Sequence, residues 1–202
     1  MKNFIMYIGI IYIIYTVLRI KIERIAKKRK KIELPEKFKK KINRDKYLLK
    51  TLTITEIIII FLYALKIDLI YYFNYSTPYF LQLTGLILGY IGILIICIAT
   101  ITLDGEYSAT LEFKENHRLV NRGIYKKIRH PIYLGFIILH IGVSLALSNY
   151  IATIIWIGGL TFLLILRVPT EENLLLYLFK NEFIEYKRKT GRFLPLICNK
   201  RK

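Results

Sequence analysis

Residues 117–135 read H-R-L-V-N-R-G-I-Y-K-K-I-R-H-P-I-Y-L-G. Two imidazoles, five cations and two tyrosines lie between two long apolar segments. Such side chains are costly inside a bilayer. At the bilayer's edge they are suited to gripping a charged small molecule. A second, smaller group, R-V-P-T-E-E at 167–172, follows the next two apolar runs and supplies an arginine and two carboxylates. No metal site is indicated, because Cys97 and Cys198 are far apart and neither falls in a ligand-like spacing.

Those groups need elements to hold them, and the elements are apolar. Hydrophobic residues make up 54% of the 202-residue chain, gathered in runs at 4–20, 52–73, 79–101, 132–148 and 150–166. Runs of this length predict five transmembrane helices. The first has a secretory signal as its rival. It lacks a small-residue cleavage site and a dense basic block follows it, so it reads as a retained span. That block, residues 21–50, holds 14 Lys or Arg against four acids. Pro35 divides it into two short helices, the second suited to lying on the membrane.

The net charge of +18 is concentrated: 29 of the 32 Lys and Arg fall in segments 21–50, 102–131 and 167–202. Five crossings place all three segments on one side, which the positive-inside rule makes the cytosol, leaving the N-terminus outside. Anionic membrane lipids account for this balance, and no nucleic-acid-binding module is present. Gly85 and Gly89 stand four apart, a spacing that lets membrane helices approach closely. Residues 110–114 alternate as a short strand would, with 118–121 as its partner in a hairpin. Glu56, Lys66 and Asp68 fall near the ends of the second run, where snorkelling to the interface accounts for them. From Glu171 onward Leu174, Leu175, Leu178 and Phe179 share one face of an amphipathic helix. The predicted fold is thus an all-α integral membrane protein. It has five transmembrane helices, a cytosolic C-terminal amphipathic helix and a short cytosolic cofactor-binding connection. Residues 1–202 form one domain, with N-terminal spans and basic loop to 102 and a catalytic half at 103–197.

A cytosolic ligand with a sulfonium and an amino-acid end needs donors for its carboxylate, an acid for its ammonium and an apolar slot for its adenine. His117, Tyr125, His130 and Tyr133 can donate, Glu171 can take the ammonium, and Leu119 and Val120 can wall the adenine. The inventory permits S-adenosyl-L-methionine without requiring it. Alone, Arg129-His130-Pro131 is equally an interfacial helix cap, and Arg167 with Glu171 an ordinary i,i+4 pair.

The joint spacing says more. H-R-L-V-x-x-G-x-Y-x-x-x-R-H-P-x-Y-x-G at 117–135, R-x-x-x-E-E at 167–172, L-F-x-x-E-F-x-E-Y-K at 178–187 and L-P at 194–195 closely resemble the isoprenylcysteine carboxyl methyltransferase family, to which the phospholipid methyltransferases are related. The resemblance covers about 103–197. Two departures are Lys180, where the family usually has Gly, and Phe183, where it usually has Tyr. The resemblance implies a membrane methyltransferase without a Rossmann fold. Its cofactor contacts would be His117, Arg118, Leu119, Val120, Tyr125, His130, Pro131, Ile132, Tyr133 and Glu171, and Arg167 would contact the acceptor as the catalytic positioning residue. The acceptor it implies is a prenylated cysteine carboxylate or a similar lipid-like molecule entering from the bilayer. An ethanolamine headgroup or a thiol is the alternative. A nicotinamide-dependent sterol-reductase-like enzyme ranks lower, since that motif reads R-H-x-N-Y and Pro131 and Ile132 depart from it. A non-enzymatic scaffold is the remaining rival.

Overall fold

The computed structural model describes residues 32–106, 108, 111, 113 and 116–196, together with Tyr7, Gly9, Ile10, Ile13, Thr16, Val17 and Ile20. Most of the first apolar run and the basic stretch 21–31 therefore lie outside the described residues. The described chain is helical and contains no named strand. It runs α1 (Glu36–Ala64), the short α2 (Asp68–Tyr71), α3 (Tyr79–Leu103), α4 (Pro131–Leu147) and α5 (Tyr150–Lys189). Three of these, α1, α3 and α5, are long and apolar enough to cross a membrane. Much of the expected hairpin at 110–114 falls outside the described residues, and 118–121 are irregular.

Prolines and one asparagine set the boundaries. Pro35, Pro78 and Pro131 start α1, α3 and α4, where a missing N–H leaves no bond unmade. Asn149 caps α5 by accepting from the Ala152 N–H at 3.0 Å. It is also fully buried, and its amide donates to the Ile70 carbonyl and to Asn74, each at 2.8 Å. The Tyr63 hydroxyl donates to the same Asn74 oxygen at 2.6 Å. This knot ties α1, α2 and the α4–α5 turn together at the end of the molecule remote from the cationic segment.

The tightest packing is between α3 and α4, through glycine. A Cβ on Gly142 would stand 2.5 Å from the Gly85 carbonyl and from the Gly89 nitrogen, and one on Gly92 2.6 Å from the Leu139 nitrogen. The expected close approach at Gly85 and Gly89 is realised, with Gly92, Gly135 and Gly142 completing the seam. Without a hydrophobic drive between helices in lipid, such backbone contact is the main source of affinity. Beside it, Ile93, Ile96, Leu139, Val143 and Trp156 form the main buried cluster. Ile87, Leu94, Phe162 and Ile165 are exposed on the outer faces, as lipid-facing residues would be.

The expected fifth crossing does not end at residues 167–172; the helix runs on through them to a kink at Lys180, and the parts on either side of the kink together make the 40-residue α5. It accommodates a π turn at Ile154–Gly158 around the buried Trp156, and Pro169 in its interior. The break falls later, at Lys180, whose φ of 45° and ψ of −117° are not helical. Pro169 forfeits one hydrogen bond but leaves the axis intact enough to carry Arg167, Glu171 and Glu172 on one rigid rod.

Candidate active site

At the end of the α3–α4 pair opposite the asparagine knot, the chain folds back on itself. Gly123 takes a positive φ of 55° against Thr102 and opens a 3₁₀ turn, Gly123–Lys126, that buries Tyr125. Beyond α5 the tail docks on the segment preceding α4. Arg129 N–H donates to the Gly191 carbonyl at 2.8 Å, His130 N–H to the Arg192 carbonyl at 3.0 Å, and Gly191 N–H to the Lys127 carbonyl at 3.1 Å. Gly191 is required there, since a Cβ would lie 1.7 Å from the Leu194 carbonyl oxygen.

The two polar groups meet. Tyr133, one turn into α4, donates its hydroxyl proton to Glu171 at 2.5 Å and accepts from Arg167 Nε at 2.7 Å. Arg167 thus reaches Glu171 through a tyrosine rather than as the simple i,i+4 pair that the sequence allows. His130 stacks on the Tyr133 ring at 5.4 Å. Its Nδ1 is 3.8 Å from Glu171 and its Nε2 3.3 Å from Glu172.

Sequence reasoning missed Glu172. It is buried, and it collects Arg192 at 2.8 and 3.1 Å, Arg129 at 3.3 Å and Lys187 at 3.5 Å besides His130. Its hydrogen bond raises the Arg192 guanidinium above its ordinary range. Arg129 also donates to Lys187 and Thr190 carbonyls at the end of α5. Glu172 therefore clamps the tail to the segment before α4, while its neighbour Glu171 stays partly open, 23% exposed. The doubled E-E was visible in the sequence. The division of labour was not, because it depends on which helix face meets Arg129.

Arg129, His130, Tyr133, Arg167 and Glu171 line one cavity of about 870 Å³, and Glu172 does not. Of the expected cofactor contacts, His117, Arg118, Leu119, Val120, Tyr125, His130, Ile132, Tyr133 and Glu171 line it, as does Arg167. Pro131 is fully buried behind it at the first position of α4. Glu106 was also missed. It lines the cavity and pairs with His117 Nδ1 at 2.7 Å. The wall then changes character: Leu52, Ile57, Ile60, Phe136, Leu160 and Leu163 carry it away from the polar end between α1, α4 and α5.

Glu56 departs from expectation. It does not snorkel; it is buried on α1 and meets His140 Nε2 at 2.8 Å. Lys66 and Asp68 are exposed at the ends of α1 and α2, as expected.

Comparison with known proteins bears on this site. Residues 83–177, which hold every site residue named above except Arg192, Lys187, Thr190, Gly191 and those on α1, match the model of the isoprenylcysteine carboxyl methyltransferase (ICMT) family. The resemblance read from the motifs holds. Over 121 residues the chain is 31% identical to a probable protein-S-isoprenylcysteine O-methyltransferase of Oryza sativa subsp. indica, covering 59% of this chain and 63% of that protein. It is 38% identical over 102 residues to the protein-S-isoprenylcysteine O-methyltransferase of Saccharomyces cerevisiae, covering 50% of this chain and 43% of that protein. With the human enzyme of the same name it shares 31% over 121 residues, 58% of this chain and 42% of that protein. These matches span between about two-fifths and just under two-thirds of the relatives' own length. A solved eukaryotic intramembrane Ras methyltransferase ICMT shares the fold, with a TM-score of 0.57 at 21% identity over 74% of this chain and 52% of that one.

Proposed function

We propose that this chain is a multi-pass membrane methyltransferase that binds S-adenosyl-L-methionine at the polar end of the cavity and a lipid-like acceptor along its apolar wall. The acceptor favoured by the ICMT-family match is the carboxylate of a prenylated cysteine. The observation that carries the reading is the convergence of Tyr133, His130, Arg167 and Glu171 on one cavity whose other half is apolar. A volume of about 870 Å³ is within the range of small-molecule and cofactor sites.

The residues fit the donor. Glu172 has its oxygens committed to arginines and His130, whereas Glu171 is partly exposed toward the cavity and can take an ammonium. Arg118, exposed on the cavity wall, can take a carboxylate. Leu119, Val120 and Ile132 offer apolar wall for a ring, and Glu106 with His117 closes the side. When bound, the donor supplies an electrophilic methyl on a sulfonium. Everything else falls to the chain. Arg167, held by Tyr133, orients the incoming carboxylate in line with that methyl, and orientation is worth several kcal/mol of barrier. A carboxylate is already ionised at neutral pH, so the chain needs no base. Apolar wall on α1 and α5 excludes water from the nucleophile.

In the full arrangement the chain is one domain with five crossings, counting the N-terminal run and α4. Its N-terminus lies outside, and the three basic segments and the cavity's polar mouth face the cytosol near anionic lipid. The test is transfer of labelled methyl from S-adenosyl-L-methionine in membranes to prenylcysteine, phosphatidylethanolamine and thiol acceptors. Methylation of the prenylcysteine, lost at least a hundredfold in Arg167→Ala, is expected. Transfer to none of the three would end the reading.

A further inference from the structure

Methyl transfer at the polar end gives no role to the buried pair deeper in the cavity. Glu56 on α1 and His140 on α4 meet at 2.8 Å, with side chains 10% and 4% exposed, and both line the cavity. His140 is seven residues beyond Tyr133 on α4, about 10 Å deeper along the helix. The cavity's apolar lining includes Leu139, Leu160, Leu163 and Ile60.

His140 Nδ1 lies 2.7 Å from the Phe136 carbonyl, an acceptor, so Nδ1 carries a proton and Nε2 faces Glu56. One further proton lies between Nε2 and Glu56 Oε1. Wherever it rests, Glu56 Oε2 remains an acceptor. Among the described residues the hydrogen bond of Glu56 runs through Oε1, and the residue lines the cavity, which leaves Oε2 as the oxygen available to a ligand there. A cavity built only for an isoprenoid chain has no use for it, since two well-packed apolar residues would avoid the cost of burying these groups.

Resting on the methyltransferase reading, we propose that Glu56 and His140 form a subsite for a hydroxyl group carried on the lipid-like part of the acceptor, about 10 Å from the atom that is methylated. The pair with its shared proton has no net charge. That suits a neutral donor rather than an ammonium.

The test uses the full chain in membranes with three probes: an S-prenylated cysteine, the same molecule with a hydroxyl on its isoprenoid chain, and the same with an amine at that carbon. Methyl transfer is measured as kcat/KM for each, and binding is measured separately by competition against the labelled plain molecule. The hydroxylated probe is expected to be preferred about tenfold over the plain one, the size of one hydrogen bond to such a group. In Glu56→Leu with His140→Leu that ratio falls to about 1, while Glu56→Gln, which keeps an acceptor oxygen, retains part of it. Equal handling of hydroxylated and plain probes by the unaltered chain overturns the proposal without any variant. So does a preference that survives the double substitution, or one for the amine. If no probe is methylated, the methyltransferase reading fails, and the binding ratio still decides the subsite.

Discussion

Two adjacent glutamates should behave oppositely when neutralised. Glu172→Gln keeps the side chain's shape and removes the one anion shared by Arg129, Arg192 and His130. The Glu172 and Arg129 side chains are 6% and 8% exposed, so the loss leaves a buried guanidinium facing a neutral amide. Breaking a buried pair costs about 3–5 kcal/mol. Arg192 is 47% exposed and Lys187 52%, so their share is screened and adds less than about 1 kcal/mol. Taking about 3 kcal/mol in all, and about 2–4 °C per kcal/mol for a chain of this size, the unfolding midpoint falls by roughly 6–12 °C. Glu171→Gln loses a half-open carboxylate whose place at Tyr133 an amide oxygen can still fill. Its midpoint moves by less than about 3 °C, the size expected of a partly exposed group. Its binding of S-adenosyl-L-methionine, however, weakens at least tenfold. The assay is thermal unfolding followed by fluorescence of the single, buried Trp156, alongside equilibrium binding of labelled donor. Equal midpoints for the two variants, or donor binding lost in Glu172→Gln before any loss of fold, would refute the division between clamp and ligand.

Lys180→Gly should stabilise the chain. Lys180 is exposed and holds a φ of 45° with ψ of −117°, a region that a side chain enters at a cost of about 1–3 kcal/mol and glycine does not resist. Part of that gain returns to glycine's freer unfolded chain, leaving a midpoint about 2–6 °C higher; a lower midpoint would count against the kink. Gly142→Val should prevent α3 and α4 from docking, since its Cβ would meet the Gly85 carbonyl oxygen and the Gly89 nitrogen at 2.5 Å; a well-folded, detergent-stable variant would contradict the seam. Gly191→Ala should release the tail from Lys127 and Arg129 and expose Glu172, read as new proteolysis between residues 189 and 196 in a chain whose transmembrane part is intact.

What the sequence could and could not convey follows from the range of each interaction. Long apolar runs announce themselves because lipid demands an uninterrupted hydrogen-bonded helix, so α3 and α4 were legible almost to their prolines, whereas α1 ends at Ala64, short of its predicted end at residue 73, and reaches back to Glu36 through what reads as a separate basic segment. The joining of the fifth run to the C-terminal helix was not, because R-V-P-T-E-E reads as an interruption by composition while the backbone merely loses one bond at Pro169. The motif residues were legible by type, and their convergence on one cavity followed from the two apolar runs that double back between them. Long-range polar partners stayed hidden. Glu172 and Arg192 are 20 residues apart and meet because the tail reverses at Gly191; Glu56 and His140 are 84 apart and meet because α1 packs against α5, the helix that follows α4. Neither pair has a period or a spacing to betray it. Position within a run misled as well: Glu56, near one end of its apolar stretch, looked like a snorkelling residue because the sequence does not reveal that α1 begins at Glu36, twenty residues earlier and well outside that stretch. The helix that carries Glu56 extends far enough on its polar side to bury that carboxylate against His140. On the function proposed above, an incoming lipid would meet a hydrogen-bonding acceptor there rather than a featureless apolar wall.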